Sequence, residues 1–315
     1  MPLAEARRCI EAECVSFSFK RSGPGYLIAE FPDEHLDAIS DRISLTHSIG
    51  RYLGAYDPDD LSALENAALP DGSFAIRGKR FRGMMADADS QSIIRKIGGI
   101  FSGKHDVDLK NPDNIVDLVM NDSVHLFLRE RVIGKDLLEK RKVGERPFFS
   151  PISLHPKYAR ALINLTGVRH GGTVLDPFCG TGGIAIEAAA MGMKAMVSDF
   201  DEDMVIGCRE NMDFYGLKLE RAEVSDIGDV PDLFSNVDAV ATDPPYGRST
   251  RTGGENVDHI YGRAFDVLPA VLSPGARAGV VLPHRTRCDT MELENVYEQF
   301  VHGSLSRYYH VLRRT

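Results

Sequence analysis

Long apolar runs are missing from this chain of 315 residues. No stretch approaches the roughly 18 consecutive apolar residues of a membrane-spanning helix. The first residues, MPLAEARRCIEAE, contain no apolar core of the kind that a secretion signal needs. The sequence therefore predicts neither membrane insertion nor secretion, and we expect a cytoplasmic protein.

Cysteine pairs are missing as well. The cysteines are odd in number, scattered and without CxxC spacing or a histidine at ligand distance: Cys9, Cys14, Cys179, Cys208 and Cys288. This pattern argues against a disulfide framework and against a zinc site, so we expect reduced thiols and no metal. No internal repeat or low-complexity tract interrupts the chain, and its length favours two or three compact units.

A net positive charge is also lacking, because the formal net charge is −9. Nucleic-acid affinity depends mainly on lysine and arginine, so this sum argues against such a partner. The distribution differs from the sum, since residues 74–110 hold eight basic and four acidic residues while residues 33–71 hold nine acids and two arginines. The sequence thus permits a basic face on an acidic body, and the alternative is an ordinary solvated surface.

The first part of the chain is predicted to form small α+β modules. Residues 13–31 have the pattern of two strands around a Ser-Gly-Pro-Gly turn, and a helix is expected to follow from near Asp33. SFAIRGKRF, residues 73–81, is typical of a strand, and residues 89–99 of a helix with isoleucines on one face. The charged, proline-containing stretch 137–151 is the predicted linker.

Beyond residue 151 strands and helices alternate. Strands are predicted at 173–175, 195–198, before Asp226, at 237–243 and at 276–283, with helices at 183–191, 202–215 and around 268–273. Such alternation requires right-handed crossovers and a parallel sheet that is covered on both faces. A ligand crevice is expected at the carboxyl ends of the strands.

A glycine-rich turn, DPFCGTGG at 176–183, stands where the first of these strands meets its helix. Glycine lets the backbone approach a ligand closely, and the helix N-terminus offers unpaired N–H groups. Acids follow the next two strands: Asp199 can accept both ribose hydroxyls of an adenosine, and Asp226 would lie near the adenine amino group. Each acid could instead cap the next helix, but their occurrence at successive strand ends favours a nucleoside site.

The tetrapeptide Asp243-Pro244-Pro245-Tyr246 follows the fourth strand. An exocyclic base amine is a poor nucleophile because its lone pair is delocalised into the ring. If the Asp243 carboxylate and the Pro244 carbonyl accept its two N–H bonds, the lone pair is freed, and the prolines hold that carbonyl in place. Tyr246 can stack on the flipped base, worth about 1–3 kcal/mol. The alternative interpretation is a rigid turn after a strand.

Together, DPFCGTGG, SDFDEDM, SDIGD and DPPYG resemble the class I, Rossmann-like methyltransferases over about 148–315. The resemblance implies an α/β fold with a mostly parallel seven-stranded sheet, whose last strand, in SLSRYYHVLRRT, is inserted antiparallel. It also implies S-adenosylmethionine as cofactor. Residues 243–246 would then catalyse the methylation of an amino nitrogen on the substrate. The cofactor-binding residues implied are Asp176, Phe178, Gly180, Gly182, Asp199, Phe200, Asp226, Ile227 and Asp243. Cys179 lies inside the glycine-rich turn at 176–183, so we expect its side chain to pack against the protein rather than to act as a nucleophile.

TDPPYGRST, together with RPFFSPISLHPKYARALINLTGV, is similar to the guanine-N2 tRNA methyltransferases that act on guanosine 10. DNA adenine methyltransferases also use the tetrapeptide, so methylation of ribosomal RNA or of DNA adenine remains an alternative. The sequence leaves open whether one or two methyl groups are added and whether a small activating subunit is needed. We expect a monomer.

Residues 74–130 resemble a THUMP domain, and with the ferredoxin-like segment before it this implies recognition of the tRNA acceptor end. The predicted domains are a ferredoxin-like α+β region at 1–70, THUMP at 71–136, the linker at 137–151 and the methyltransferase domain at 152–315. Phosphate contacts position an RNA without reading its bases. The cations expected to make them are Arg77, Lys79, Arg80, Arg82, Arg95, Lys96 and Arg248.

Two other classes fit less well. An RNA-binding protein with a degenerate fold would be expected to have lost the glycines, Asp199 or Asp243, all of which are present. A THUMP-bearing thiolation enzyme would need a pyrophosphatase-type glycine loop and a sulfur-carrying cysteine, and neither pattern is found.

Overall fold

The computed structural model describes residues 1–81, 83–134, 136–150, 153–246, 254–303 and 305–315, apart from the side chain of Glu65. Arg82 and Arg248, both predicted to contact RNA, lie outside the described residues. The helices are α1 (Pro2–Glu13), α2 (Leu36–Arg42), α3 (Ser90–Phe101), α4 (Asp136–Glu139), α5 (Pro156–Thr166), α6 (Gly183–Ala190), α7 (Glu202–Phe214), α8 (Val230–Leu233) and α9 (Val257–Val271).

The strands among the described residues fall into three sheets. They are β1 (Ser18–Gly23), β2 (Tyr26–Glu30), β3 (Ser48–Tyr56), β4 (Phe74–Arg80), β5 (Asn114–Met120), β6 (Val124–Val132), β7 (Thr173–Asp176), β8 (Lys194–Asp199), β9 (Leu219–Val224), β10 (Val237–Thr242), β11 (Leu272–Leu282), β12 (Glu292–His302) and β13 (Leu305–Arg313).

The chain forms two compact units that interleave along the sequence. The first, the methyltransferase unit, comprises Met1–Val15, Asp33–Leu45 and Gly134–Thr315, and the second, the THUMP unit, comprises Ser16–Pro32 and Thr46–Ile133. This division differs from the predicted separate region at 1–70, since α1 and α2 belong to the methyltransferase unit.

A buried polar cluster explains why α1 and α2 belong there. The Glu5 carboxylate is fully buried and accepts hydrogen bonds from the Ser44 N–H (2.9 Å), the Leu45 N–H (2.8 Å) and the Asn164 amide on α5 (2.9 Å). Arg42 of α2 pairs with Glu13 and donates to Asn164 Oδ1 at 3.0 Å. A buried charge must be paired or hydrogen-bonded, so these contacts fix both N-terminal segments on α5.

The methyltransferase unit is built on a seven-stranded sheet in the order β12-β13-β11-β10-β7-β8-β9. Strands β7 to β11 are parallel, and β13 runs antiparallel between β11 and β12. One face is covered by α5, α6 and α7 and the other by α8 and α9. This arrangement confirms the predicted sheet and its inserted last strand. Leu272 and Ser273 belong to β11 and not to the helix that was expected around 268–273.

The stretch 137–151 packs against the methyltransferase unit and is therefore not a free linker. Arg141 forms two hydrogen bonds with the buried Glu187 of α6, at 2.7 and 3.0 Å, and Arg160 of α5 binds the same carboxylate at 2.9 Å. The Phe148 N–H donates to Asn211 Oδ1 at 2.9 Å. One of the charges in this stretch, that of Arg141, is therefore the partner of a buried acid.

The THUMP unit contains a four-stranded sheet in the order β3-β6-β5-β4, with α3 packed on one face. β3 pairs antiparallel with β6, so the predicted boundary between residues 70 and 71 would separate a strand from its partner. The β1–β2 hairpin turns at Gly25, whose φ of +89° requires the predicted turn glycine. The Asp89 side chain caps α3 by accepting the Gln91 N–H at 3.0 Å.

In the part of the chain that the structure describes, no helix is both long enough and apolar enough to cross a membrane.

Candidate active site

A cavity of about 520 Å³ opens at the carboxyl ends of the parallel strands. Its volume lies within the range of small-molecule sites, roughly 300–1,000 Å³. The predicted site residues that line it are Asp176, Phe178, Gly180, Asp199, Phe200, Asp226, Ile227, Asp243, Pro244, Pro245 and Tyr246. The structure thus brings the predicted cofactor and catalytic residues to one cavity, with Gly182 as the exception.

Asp199 joins the end of β8 to the turn after β7. Its Oδ2 accepts the Gly180 N–H at 2.9 Å and its Oδ1 accepts the Asp201 N–H at 3.1 Å. Burial raises the pKa of Asp199, although these backbone bonds oppose the shift. Each carboxylate oxygen retains a second lone pair for a ligand hydroxyl. The carboxylate is therefore held in place before a ligand arrives.

Gly180 and Gly182 have different roles in the turn. Gly180 lines the cavity with φ +47°, and a Cβ at this position would have no protein atom within 4 Å. Gly182, with φ +80°, does not line the cavity, and a Cβ there would approach Cys208 Sγ to 2.6 Å. Gly182 is therefore needed for the close approach of the turn to α7.

The Cys179 thiol also faces α7. A hydrogen bond with Cys208 and burial together hold the pKa of Cys179 well above its ordinary value. Because the thiolate is the nucleophilic form, this environment does not activate the sulfur.

Asp226 has a partner that the sequence did not indicate. Its Oδ1 accepts the Gly228 N–H at 2.9 Å and binds the guanidinium of Arg263 on α9. Burial raises the pKa of Asp226, but the Gly228 and Arg263 bonds outweigh it and the net pKa is lowered. Arg263 also binds Glu255, which lines the same cavity, at 3.0 Å. Spacing along the chain could not pair residues 37 positions apart.

Asp176 ties the ends of two strands together. It is only 2% exposed, and its Oδ1 accepts the Thr242 hydroxyl of β10 at 2.7 Å and the Phe178 N–H at 3.2 Å. Burial raises the pKa of Asp176 to about 7, with smaller contributions from the charges of Asp199 and Asp243. It therefore positions the carboxyl end of β10, where Asp243 follows directly.

Asp243 differs from the other acids because one of its oxygens is unsatisfied. Among the described residues, the buried Oδ1 has no hydrogen-bond partner. Burial raises the pKa of Asp243 to about 7, against the opposing effects of the Arg307 charge and of a hydrogen bond with Tyr246. A buried acceptor without a partner costs free energy, so this atom is suited to a donor that arrives with a substrate.

Two side chains from distant elements hold the tetrapeptide. The Tyr261 hydroxyl on α9 donates to the Pro245 carbonyl at 2.9 Å, and Arg307 Nε on β13 donates to the Tyr246 hydroxyl at 2.6 Å. Burial and the neighbouring Asp243 charge raise the pKa of Tyr246 to about 12. Sequence reasoning missed both partners, since neither belongs to a motif.

The segment before α5 contributes to the cavity wall as well. Phe149, Ser150, Ser153 and Leu154 line it, and Phe149 is 58% exposed. In the sequence, RPFFSP indicates a family resemblance and does not by itself mark a site.

The described cations that were predicted to bind RNA, namely Arg77, Lys79, Arg80, Arg95 and Lys96, lie in the THUMP unit. Among the described residues, Lys79 and Lys96 are exposed and have no hydrogen-bond or ion-pair partner. Arg77 is exposed and donates to the Leu109 carbonyl at 2.7 Å, and Arg95 donates to the Gln91 carbonyl at 3.3 Å. All four side chains are therefore accessible to a polyanion.

Arg80, which was also predicted to contact RNA, is less exposed than these four cations. Its guanidinium is partly buried and donates to the carbonyls of Ala86 and Ala88 and to Ser90 Oγ, the last at 2.9 Å. These bonds fix the loop before α3. The reason is the position of Arg80 on β4, since it shares the helix-covered face with Phe74 and Ile76, whereas Arg77 and Lys79 lie on the opposite face.

Two family models match the chain. A methyltransferase domain described as RMKL-like covers residues 143–308, and the THUMP domain covers 62–127. Both matches confirm domains expected from the sequence.

Known proteins match over nearly the whole chain. The tRNA (guanine(10)-N2)-dimethyltransferase of Methanothermobacter thermautotrophicus is 35% identical over 100% of this chain and 96% of that protein. The enzyme of the same name from Pyrococcus abyssi is 32% identical over 96% of this chain and 95% of that protein. The crystal structure of TrmN from Thermus thermophilus aligns with a TM-score of 0.50 and 25% identity, over 91% of this chain and 87% of that one.

Proposed function

The chain belongs to the THUMP-containing family of RMKL-like methyltransferases, and from this premise we propose that it methylates N2 of guanosine 10 in tRNA with S-adenosylmethionine as donor. The observation that carries the proposal is the unsatisfied Oδ1 of Asp243, buried in a cavity that it shares with Pro244 and Tyr246. An exocyclic amine supplies the donors that this atom lacks.

The cavity suits the methyl donor. Gly180 presents bare backbone to the cavity, and the Asp199 carboxylate is already oriented by two N–H bonds. Asp199 would hold the ribose hydroxyls, while Phe200 and Ile227 would supply apolar contacts to the adenine. Asp226 would reach the adenine amino group, with Arg263 fixing its carboxylate. When bound, the donor supplies an electrophilic methyl group on a sulfonium.

The catalytic work of the chain is to bind and orient the amine. Asp243 Oδ1 and the Pro244 carbonyl would each accept one N–H of guanine N2, which withdraws the lone pair from the ring. Tyr246 would stack on the base and set its plane. Alignment of the two reactants lowers the barrier, and Asp243, whose pKa is about 7, can take up the proton that the amine loses.

The THUMP unit would bind the tRNA. Its exposed Lys79 and Lys96, with Arg77 and Arg95, would contact phosphates and place the target nucleoside without reading bases. We propose that the enzyme acts as a cytoplasmic monomer, and light scattering of the purified protein measures its oligomeric state.

The decisive experiment identifies the methylated nucleoside. Purified protein is incubated with methyl-labelled S-adenosylmethionine and an unmodified tRNA transcript, which is then digested to nucleosides. We expect label in N2-methylguanosine and, over time, in N2,N2-dimethylguanosine if a second methyl is added. A transcript with adenosine at position 10 and a restored pairing partner is the matched control and is expected to stay unlabelled.

The alternative substrates are tested in parallel. Ribosomal RNA and double-stranded DNA are offered under the same conditions. Preferential labelling of either, or label in N6-methyladenine, would contradict the proposal.

A further inference from the structure

Arg307 is brought to the active site by the antiparallel insertion of β13. Because this strand runs opposite to β10, its first residues lie at the carboxyl edge of the parallel strands. There Arg307 Nε donates to the Tyr246 hydroxyl at 2.6 Å, and its guanidinium carbon lies 6.0 Å from the Tyr246 ring centroid. The side chain is partly buried.

We propose that Arg307 is a positioning residue for methyl transfer, which orients Tyr246 through its hydroxyl and keeps Asp243 as the carboxylate that accepts the amine. This inference rests on the proposed function, because it assigns the role that Asp243 and Tyr246 have there.

The direction of the hydrogen bonds supports this role. A guanidinium can only donate, so the Tyr246 oxygen is the acceptor in its bond with Arg307. Asp243 is within hydrogen-bonding range of this hydroxyl. A hydrogen bond with Tyr246 favours the ionised form of Asp243, whose Oδ1 has no partner among the described residues. Arg307, Tyr246 and Asp243 thus form a chain that ends at the unsatisfied atom.

The charges around Asp243 support the second part of the proposal. The titratable groups that face it are Asp176 on β7, Tyr246 after β10, Tyr261 on α9, and Arg307 and Tyr309 on β13. Of these described groups, Arg307 alone carries a positive charge. Burial raises the pKa of Asp243 to about 7, and the Arg307 charge opposes a further rise. Without that charge, less of Asp243 would be ionised at neutral pH.

The first test compares Arg307→Met, which removes charge and donor, with Arg307→Lys, which keeps the charge. kcat/KM for the accepted RNA is measured between pH 5.5 and 9. In the unchanged protein the rate should fall below about pH 7, because Asp243 must be ionised. In Arg307→Met we expect this acid limb to move up by about one pH unit, whereas Arg307→Lys should keep it near its original position. Binding of S-adenosylmethionine should change less than about twofold, since no donor-site residue is altered.

A second test needs no activity and separates this inference from the proposed function. A carboxyl group with a raised folded-state pKa binds its proton more tightly when folded, so its ionisation lowers stability as pH rises from the unfolded-state pKa to the folded one. For Asp243 this window is about pH 4 to 7. Raising the pKa further in Arg307→Met extends the loss above pH 7. The thermal stability difference between Arg307→Met and the unchanged protein should therefore grow between pH 7 and 8.5.

The same comparison in an Asp243→Asn background is the control, because there the pH-dependent part should disappear. If the acid limb does not move and the stability difference does not depend on pH, Arg307 is a purely structural residue and the proposal is wrong.

If Arg307→Met does not fold, the pH profile of Arg307→Lys decides instead. A lysine variant with an acid limb shifted upward by one unit or more would show that the positive charge is not what matters. Labelling of a different nucleoside would refute the proposed substrate while both tests of Arg307 could still be read.

Discussion

The two units of the molecule carry their functional side chains in opposite ways. In the methyltransferase unit, Asp176, Asp199 and Asp243 converge on one cavity, and the first two are less than 10% exposed. In the THUMP unit, Lys79 and Lys96 stand exposed to solvent. A buried group acts at low effective dielectric and makes a few strong, directional bonds, whereas exposed charges are screened by salt and act collectively. Single substitutions should therefore have large effects in the first unit and small, salt-dependent effects in the second.

The largest effect is expected at Asp243. Asp243→Ala removes the acceptor for the amine, and we expect kcat to fall about 10²- to 10³-fold, as when one transition-state hydrogen bond is lost at other active sites. Affinity for S-adenosylmethionine should change little, because the Asp199 and Gly180 contact is untouched. Single-turnover methylation and calorimetric titration of the donor measure the two quantities.

Asp243→Asn is the matched control, since its amide oxygen can still accept one N–H. It should retain more activity than Asp243→Ala and lose the fall in rate below about pH 7 that the acid pKa causes. If the alanine variant kept its full rate, or lost donor binding and rate equally, the proposed orientation of the amine would be wrong.

A smaller effect in the same unit is expected at Asp199. Asp199→Ala removes a charged hydrogen-bond acceptor for the ligand and breaks the bond that holds the Gly180 turn. The Kd for S-adenosylmethionine should therefore rise about 10- to 100-fold. Asp226→Ala is the comparison, because its carboxylate is half-exposed and shared with Arg263. We expect only about a threefold rise there. If Asp199→Ala and Asp226→Ala raised the Kd equally, the difference in burial between these acids would not determine their contribution to donor binding.

The same contrast explains what the sequence could predict. Strand alternation, the turn at 176–183 and the acids at the ends of β8, β9 and β10 are local patterns, so the parallel sheet was predicted correctly and most of the expected site residues line one cavity. Arg307 and Arg263 reach the site from elements far along the chain, and no local pattern marks them. The buried Glu5 attaches α1 to the methyltransferase unit through partners more than 35 residues away, which no local pattern reveals.

The THUMP unit was predicted less completely for a related reason. A count of basic residues gives a charge but not a direction, so Arg80 and Lys79 could not be told apart from composition. Strand alternation separates them, since neighbouring residues of β4 point to opposite faces. The pairing of β3 with β6 joins residues 68 to 84 positions apart, which explains why the boundary between 70 and 71 was misplaced.

On the exposed side of the comparison, Lys79→Ala with Lys96→Ala should weaken tRNA binding only several-fold at low salt. Each phosphate contact that is lost should reduce the salt slope of log Kd by about one. Filter binding at several salt concentrations measures both, and kcat at saturating tRNA should be unchanged. A change in kcat, or a slope equal to that of the unchanged protein, would contradict a phosphate-binding role.

The smallest effect on RNA binding is expected at Arg80, although it lies next to Lys79. Arg80→Ala removes donors to Ala86, Ala88 and Ser90, so the loop before α3 should loosen and the unit should lose about 1–3 kcal/mol of stability. The salt slope of tRNA binding should stay within error of the unchanged protein, because both terminal nitrogens of this guanidinium donate within the fold. Thermal unfolding and the same filter assay separate the two outcomes. If the salt slope fell in Arg80→Ala as much as in Lys79→Ala, the two faces of β4 would not divide structure from RNA contact.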